Sequence, residues 1–335
     1  MADEREIAAP ATHPDALAIR FDGRGGASRL GIGDVCDPDA VPNEQGFDWV
    51  HLRLGAEETP GFLRAAGLDD FVVDALMADE TRPRCTLHGE GAILNLRGVN
   101  LQRGAEVEDM ISVRLWLTGE RVIGVWRRPL TATLDLMSSI DRGHAPTTPG
   151  DFVARLALRL ADRAEPAVAD LNERLDELEE QLLENEENVE RANLSALRRT
   201  AIVLRRYMMP QRDALTTLEI EDLDWLSERD RSHLREAAER ISRLGEDLDS
   251  IRDRTQIVSE QIMDARAERL NDRMLILSIV AAIFLPLSLL TGLLGINVSG
   301  IPGAGSPAAF WIVCLVLVVL GVLLFLLARR MGMFR

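Results

Sequence analysis

Asn271, Met274, Ser278, Ala281, Leu285, Ser288 and Gly292 recur at steps of three and four. Residues so spaced share one face of an α-helix. They run along a stretch, Met274 to Leu294, that contains no charged side chain. About 20 apolar residues in a helix span the ~30 Å hydrocarbon core of a bilayer. Most other positions of the stretch are Leu, Ile, Val or Phe, so the stripe gathers its small and polar groups. Such a stripe faces other helices or water rather than lipid. Two readings follow. One is a packing seam of small residues. The other, if several copies turn the stripe toward a common axis, is a narrow uncharged pore lined by hydroxyl and amide groups, which hold a hydrated ion weakly enough to release it.

A second charge-free run, Phe310 to Ala328, is long enough to cross back, and the connecting stretch 295–309 is rich in Gly and Pro and has no charge. Arg266, Arg269 and Arg273 precede the first run, and Arg329, Arg330 and Arg335 follow the second. By the positive-inside rule both chain ends are expected to be cytoplasmic and the connecting loop to face outward. The N-terminal stretch carries Asp3 and Glu4 and lacks an apolar core, so no signal peptide is expected.

Two short motifs sharpen this picture. Phe284-Leu285-Pro286-Leu287-Ser288 lies within the first run, and Thr291-Gly292-Leu293-Leu294-Gly295-Ile296-Asn297 closes it. With the second span and basic tail, they resemble the CorA family of divalent-cation transporters, which carries a Gly-Met-Asn signature at the outer end of its first membrane helix. Here that position reads Gly295-Ile296-Asn297. Ile296 in place of Met, followed by Val298-Ser299-Gly300-Ile301-Pro302, is more similar to the ZntB branch, associated with zinc. Arg82-Pro83-Arg84 before a strand also resembles the family layout. The resemblance implies a funnel-shaped homo-oligomer, a homopentamer, in which Gly295, Ile296 and Asn297 form a metal-selecting outer mouth. It implies zinc as the transported ion, with magnesium or cobalt as the alternative, proton coupling as a branch property and no permanently bound cofactor. The outer loop of many magnesium-transporting members is acidic; this loop has no acid. A non-transporting, membrane-anchored coiled-coil scaffold is the third reading, and the polar stripe weighs against it.

The rest of the chain must position these residues. The fold class expected is an α+β cytoplasmic domain, a sheet unit followed by long helices, with a two-helix transmembrane hairpin. The expected divisions are a sheet domain at 1–147, long helices at 148–273, spans at 274–294 and 310–328, and a basic tail at 329–335. Alternation predicts strands near 49–54, 85–88, 92–99, 110–117 and 122–126, with helices near 59–66, 69–78 and 130–142. The glycines between Gly23 and Gly33 read as a turn. Long helices are expected at about 149–189, with an apolar seam of Leu171, Leu175, Leu178 and Leu182, and at about 193–219. A third begins near Ser227, where Ser227 and Asp230 are candidate caps, and runs through the first span.

Composition excludes several functions. The net charge of -16 excludes nucleic acid as a partner. Every basic residue is Arg; there is no Lys. Cys36, Cys85 and Cys314 form no CxxC pair, and His13, His51, His88, His144 and His233 are not spaced as metal ligands. No phosphate loop, dinucleotide fingerprint or nucleophile elbow is present, so no enzyme is expected. Acidic residues crowd the stretch from Asp170 to Glu190, and Asp247, Asp249 and Asp253 are close in sequence. These read as solvated helix faces, or as a surface that concentrates divalent cations and binds a regulatory one.

Overall fold

Alternating apolar positions build a seven-stranded sheet. Its strands are β1 (Ala16–Phe21), β2 (Ala27–Leu30), β3 (Phe47–Arg53), β4 (Arg84–His88), β5 (Gly91–Gly98), β6 (Ile111–Leu117) and β7 (Arg121–Trp126), in the order β2-β1-β3-β7-β6-β5-β4. The computed structural model describes residues 15–35, 46–79, 82–102, 104–184, 191–296 and 306–330. All neighbouring strands are antiparallel except β3 and β7, which pair in parallel with Val50 opposite Ile123. Helices α1 (Ile32–Val35), α2 (Thr59–Ala65) and α3 (Asp70–Met77) cover one face, where Val35, Leu63, Val72 and Leu76 pack on Val50, Ile93 and Val125. On the other side, α4 (Thr131–Asp141) leads into α5 (Pro149–Glu184). Phe152 of α5 meets Trp49 of β3 at 4.9 Å between ring centroids, and Phe47 stacks on Phe21 at 4.5 Å. A sheet covered on both faces explains why β5 and β7 are buried almost throughout instead of alternating.

The glycine-rich stretch is not simply a turn. Its first part is one: Asp22 Oδ1 accepts from the N–H groups of Arg24 and Gly26, each at 2.8 Å, and Gly23 and Gly25 adopt positive φ. Residues 27–30 then form β2, paired with β1, and 32–35 form α1. β2 is an edge strand exposed along most of its length, so it carries no core pattern to announce it.

The long helices are α5, α6 (Arg191–Ile220), α7 (Glu228–Gly295) and α8 (Ala309–Arg330). Leu171, Leu175 and Leu178 are buried as a seam of α5, and Leu182 is half-buried. Residues 185–189 of the predicted first helix lie outside the described residues. α7 is a single 68-residue helix with no break at Arg266 to Arg273. Ser227 Oγ accepts from the Asp230 N–H at 3.2 Å while Asp230 Oδ2 accepts from the Ser227 N–H at 3.1 Å, a reciprocal cap at its start. The chain forms two compact units, divided between Ile257 and Val258. The first holds the sheet, α1 to α6 and the start of α7; the second holds the rest of α7 and α8.

Candidate functional site

In the second unit, α7 shows two unlike faces. Ile279 is buried and Ile283, Pro286, Leu287 and Leu290 are half-buried; they turn toward α8, where Leu287 Cδ1 approaches Gly321. Asn271, Met274, Ser278, Ala281, Leu285, Ser288 and Gly292 are all exposed. At ~100° per residue the two sets fall on roughly opposite faces of the helix. Sequence periodicity found the exposed stripe. It missed the face toward α8, because leucine and isoleucine surround the helix and give no contrast.

The polar groups of this helix are satisfied locally where they can be. Ser278 Oγ donates to the Met274 carbonyl at 2.8 Å, and Thr291 Oγ1 donates to that of Leu287 at 2.7 Å. Such back-bonding ties up the hydroxyl hydrogen and leaves oxygen lone pairs on the surface, as an apolar environment requires. Pro286 lacks the N–H that would bond to the Ala282 carbonyl, which makes this turn the weak point of the helix. A methyl group added at Gly292 or at Gly295 would meet nothing within 4 Å. Gly295 ends α7 and Ile296 is exposed beside it, whereas Asn297 lies outside the described residues.

In the first unit the acidic residues are largely engaged. Arg254 reaches Asp176 and Glu179, each at 2.5 Å, and donates to Asn172 Oδ1 at 2.9 Å, which holds its guanidinium pKa well above the usual value. Asp249 pairs with Arg205 at 2.6 Å and with Arg252 at 3.0 Å, and Arg252 also holds Asp253 at 2.8 Å. The side chains of Glu184, Glu186, Glu187 and Glu190 lie outside the described residues. Among the described residues no three His, Cys, Asp or Glu side chains come together as a metal site. Burial pushes the Cys85 thiol up to about 12, so it is neither a thiolate ligand nor a nucleophile near neutral pH. Arg252 sits on the same helix as Asp249 and Asp253, but the pairs of Arg254 with Asp176 and Glu179 and of Arg205 with Asp249 join helices far apart in the chain and were invisible in the sequence.

Among the described residues two helices are long and apolar enough to cross a membrane, and almost none of their apolar length is buried within the protein. Left in water they would expose contiguous apolar surface far beyond what a soluble protein tolerates. The molecule thus reads as a membrane protein whose described residues hold two candidate spans and a large sheet-and-helix domain. Residues 44–330 match the family described as CorA-like Mg2+ transporter protein, so the chain belongs to the CorA family of divalent-cation transporters, which are not enzymes. It is 40% identical over 301 residues to the divalent cation transporter CmaX of Pseudomonas aeruginosa, covering 89% of this chain and 90% of that protein. It is 35% identical over 304 residues to the zinc transport protein ZntB of Pectobacterium atrosepticum, covering 90% and 91%. The structure of full-length CmaX superposes with a TM-score of 0.81 at 37% identity, over 95% of this chain and 98% of that one. The CorA magnesium transporter from Methanocaldococcus jannaschii gives 0.80 at 17% identity, over 96% and 99%, a likeness of fold alone.

Proposed function

We propose that this chain carries zinc across the cell's inner membrane through a central pore built by α7 in a homopentamer. Gly295, Ile296 and Asn297 form the outer mouth, the stripe from Asn271 to Gly292 lines the path, and α8 stands outside it toward lipid. Both chain ends lie on the cytoplasmic side. One observation carries this reading: the stripe that holds Ser278, Ser288 and Gly292 is exposed on the face of α7 away from α8. Small and polar groups facing lipid would be costly, so a neighbouring copy or water must meet them. Neutral oxygen ligands suit an ion that keeps its water shell, since binding must stay weak enough for release. The ZntB relatives support zinc, and the absence of acid from 295–309 weighs against a magnesium-selective mouth.

The second reading is magnesium or cobalt conduction gated by intracellular metal, favoured by the description of the matching family. Proton coupling belongs to the zinc reading; neither apolar run contains a carboxylate or His to relay a proton, so a coupled proton would travel with water. Flux into proteoliposomes tests all three. Dye-reported zinc influx that grows with an imposed pH gradient supports the proposal. Magnesium influx driven by membrane potential and closed by internal magnesium selects the second reading. No flux of either ion from correctly assembled protein refutes transport through this pore.

A further inference from the structure

The first unit has an open groove of about 840 Å³ between α4, α5 and the start of α7. Five arginines line it, Arg142, Arg155, Arg159, Arg163 and Arg240, against three carboxylates. In a chain of net charge -16 this lining concentrates cations, although Asp151 and Glu165 beside it pair with Arg155 and Arg240. Helical spacing builds it, because Arg155, Arg159 and Arg163 at steps of four share one stripe of α5.

Three of the arginines are committed. Arg155 donates to Asp151 at 2.7 Å and Arg163 grips Asp135 through two bonds of 2.7 Å. Arg240 pairs with Asp162 at 2.6 Å. Those contacts also occupy Asp135 and Asp162, two of the groove's own acids. Arg142 and Arg159 make no ion pair among the described residues, and Arg159 donates instead to the Arg155 carbonyl at 3.0 Å. Arg159 is half-buried. Burial, and then the neighbouring charges of Arg155 and Arg142, hold its pKa below the usual arginine value, partly offset by Asp135 and Asp162. Leu101, Leu158 and Pro166 add an apolar stretch of wall.

We propose that this groove binds a phosphate-bearing small molecule, with Arg142 and Arg159 holding the phosphoryl oxygens and Leu101 and Leu158 available to its organic part. Planar guanidinium forks match phosphate oxygens in pairs, and Arg142 and Arg159 bring two cations to the groove against Glu236, the lining carboxylate outside the ion pairs named above. A site of this size falls within the range of small-ligand pockets.

The test is calorimetric titration of the full-length protein in detergent, free of divalent cations, with inorganic phosphate, pyrophosphate and ATP as separate probes. Saturable binding of at least one probe is expected, weakened by at least about tenfold in Arg159→Gln and in Arg142→Gln and by added salt. Arg212→Gln, outside the groove, should bind as wild type does. ATP binding more tightly than pyrophosphate would bring the nucleoside onto Leu101 and Leu158; equal binding would restrict recognition to the phosphoryl chain. Arg142 is exposed just beyond α4 and breaks no ion pair when replaced, so its variant stays testable if Arg159→Gln misfolds. No saturable binding of any probe by folded protein overturns the proposal, as does equal weakening in Arg212→Gln. An altered oligomeric size in Arg142→Gln without phosphate binding also overturns it and makes the groove a contact between copies.

Discussion

Thr148 Oγ1 donates to Asp230 Oδ1 at 2.8 Å, joining the residue before α5 to the first turn of α7. Asp230 is 2% exposed, and its other carboxylate oxygen caps α7 through Ser227. Thr148 itself caps α5, accepting from the Asp151 N–H at 2.9 Å. Two helix starts are thus interlocked through one hydrogen bond. A methyl group at Gly150 would sit 2.6 Å from Asp230 Cβ, so the helices approach here at glycine distance.

Replacing the buried Asp230 removes a cap and leaves the half-buried Thr148 hydroxyl and the Ser227 donors without their acceptor. Asp230→Ala is expected to cost about 2–3 kcal/mol. Gly150→Ala should cost about 1–3 kcal/mol by overpacking. Thermal unfolding of the full chain checks both; an unchanged midpoint for Asp230→Ala would refute the interlock.

The stripe on α7 is expected to govern flux while contributing little to folding. Ser278→Leu and Ser288→Leu should each lower zinc flux by at least about tenfold through loss of oxygen ligands and narrowing of the path. Val280→Ala, also exposed but off the stripe, should transport as wild type does. Asn297→Ala should impair flux while leaving the first unit folded. Normal flux in a properly assembled Asn297→Ala protein would remove Asn297 from the mouth.

Arg254 should act as a salt-sensitive clamp between α5 and α7. Its side chain is 31% exposed and its partners Asp176 and Glu179 are 56% and 34% exposed, so solvent screens much of the attraction. Arg254→Met is expected to cost only about 1 kcal/mol, and that difference should shrink at high salt. A salt-independent loss would identify side-chain packing as the cause.

Asp69 caps α3 by accepting from the Val72 N–H at 2.9 Å, and it also meets His88. The backbone bond, and then His88, lower its folded-state pKa below the ordinary value. A depressed carboxylate stabilises the fold above its unfolded pKa of about 3.9 and loses that contribution as pH falls through the lower folded value. The gap in melting temperature between wild type and Asp69→Ala should therefore persist at neutral pH and close in acid. A constant gap would contradict the assignment.

Much of this organisation is legible in the sequence for definite reasons. β3, β6 and β7 announce themselves through β-branched and aromatic runs, and α5 through Leu171, Leu175 and Leu178. Ser227 and Asp230 are readable because a reciprocal cap needs only residues three apart. β2 escapes notice because an exposed edge strand has little core to bury, and β1 because its consecutive buried residues Leu17, Ala18 and Ile19 show no alternation. The parallel pairing of β3 with β7 is equally hidden, since Val50 and Ile123 are joined only by long-range register. Arg254 meeting Asp176 and Glu179 likewise depends on the packing of distant helices. In the second unit the stripe stands out by polarity, while the side of α7 toward α8 does not.

The open space around Gly292 and Gly295 separates two kinds of tolerance. A larger residue at either position meets no obstacle among the described residues, so expression and melting temperature should scarcely register the change. The penalty would emerge only after several copies assemble or an ion attempts passage. A survey scored by protein abundance would class these glycines as dispensable, whereas one scored by growth under metal limitation would rank them among the least replaceable positions.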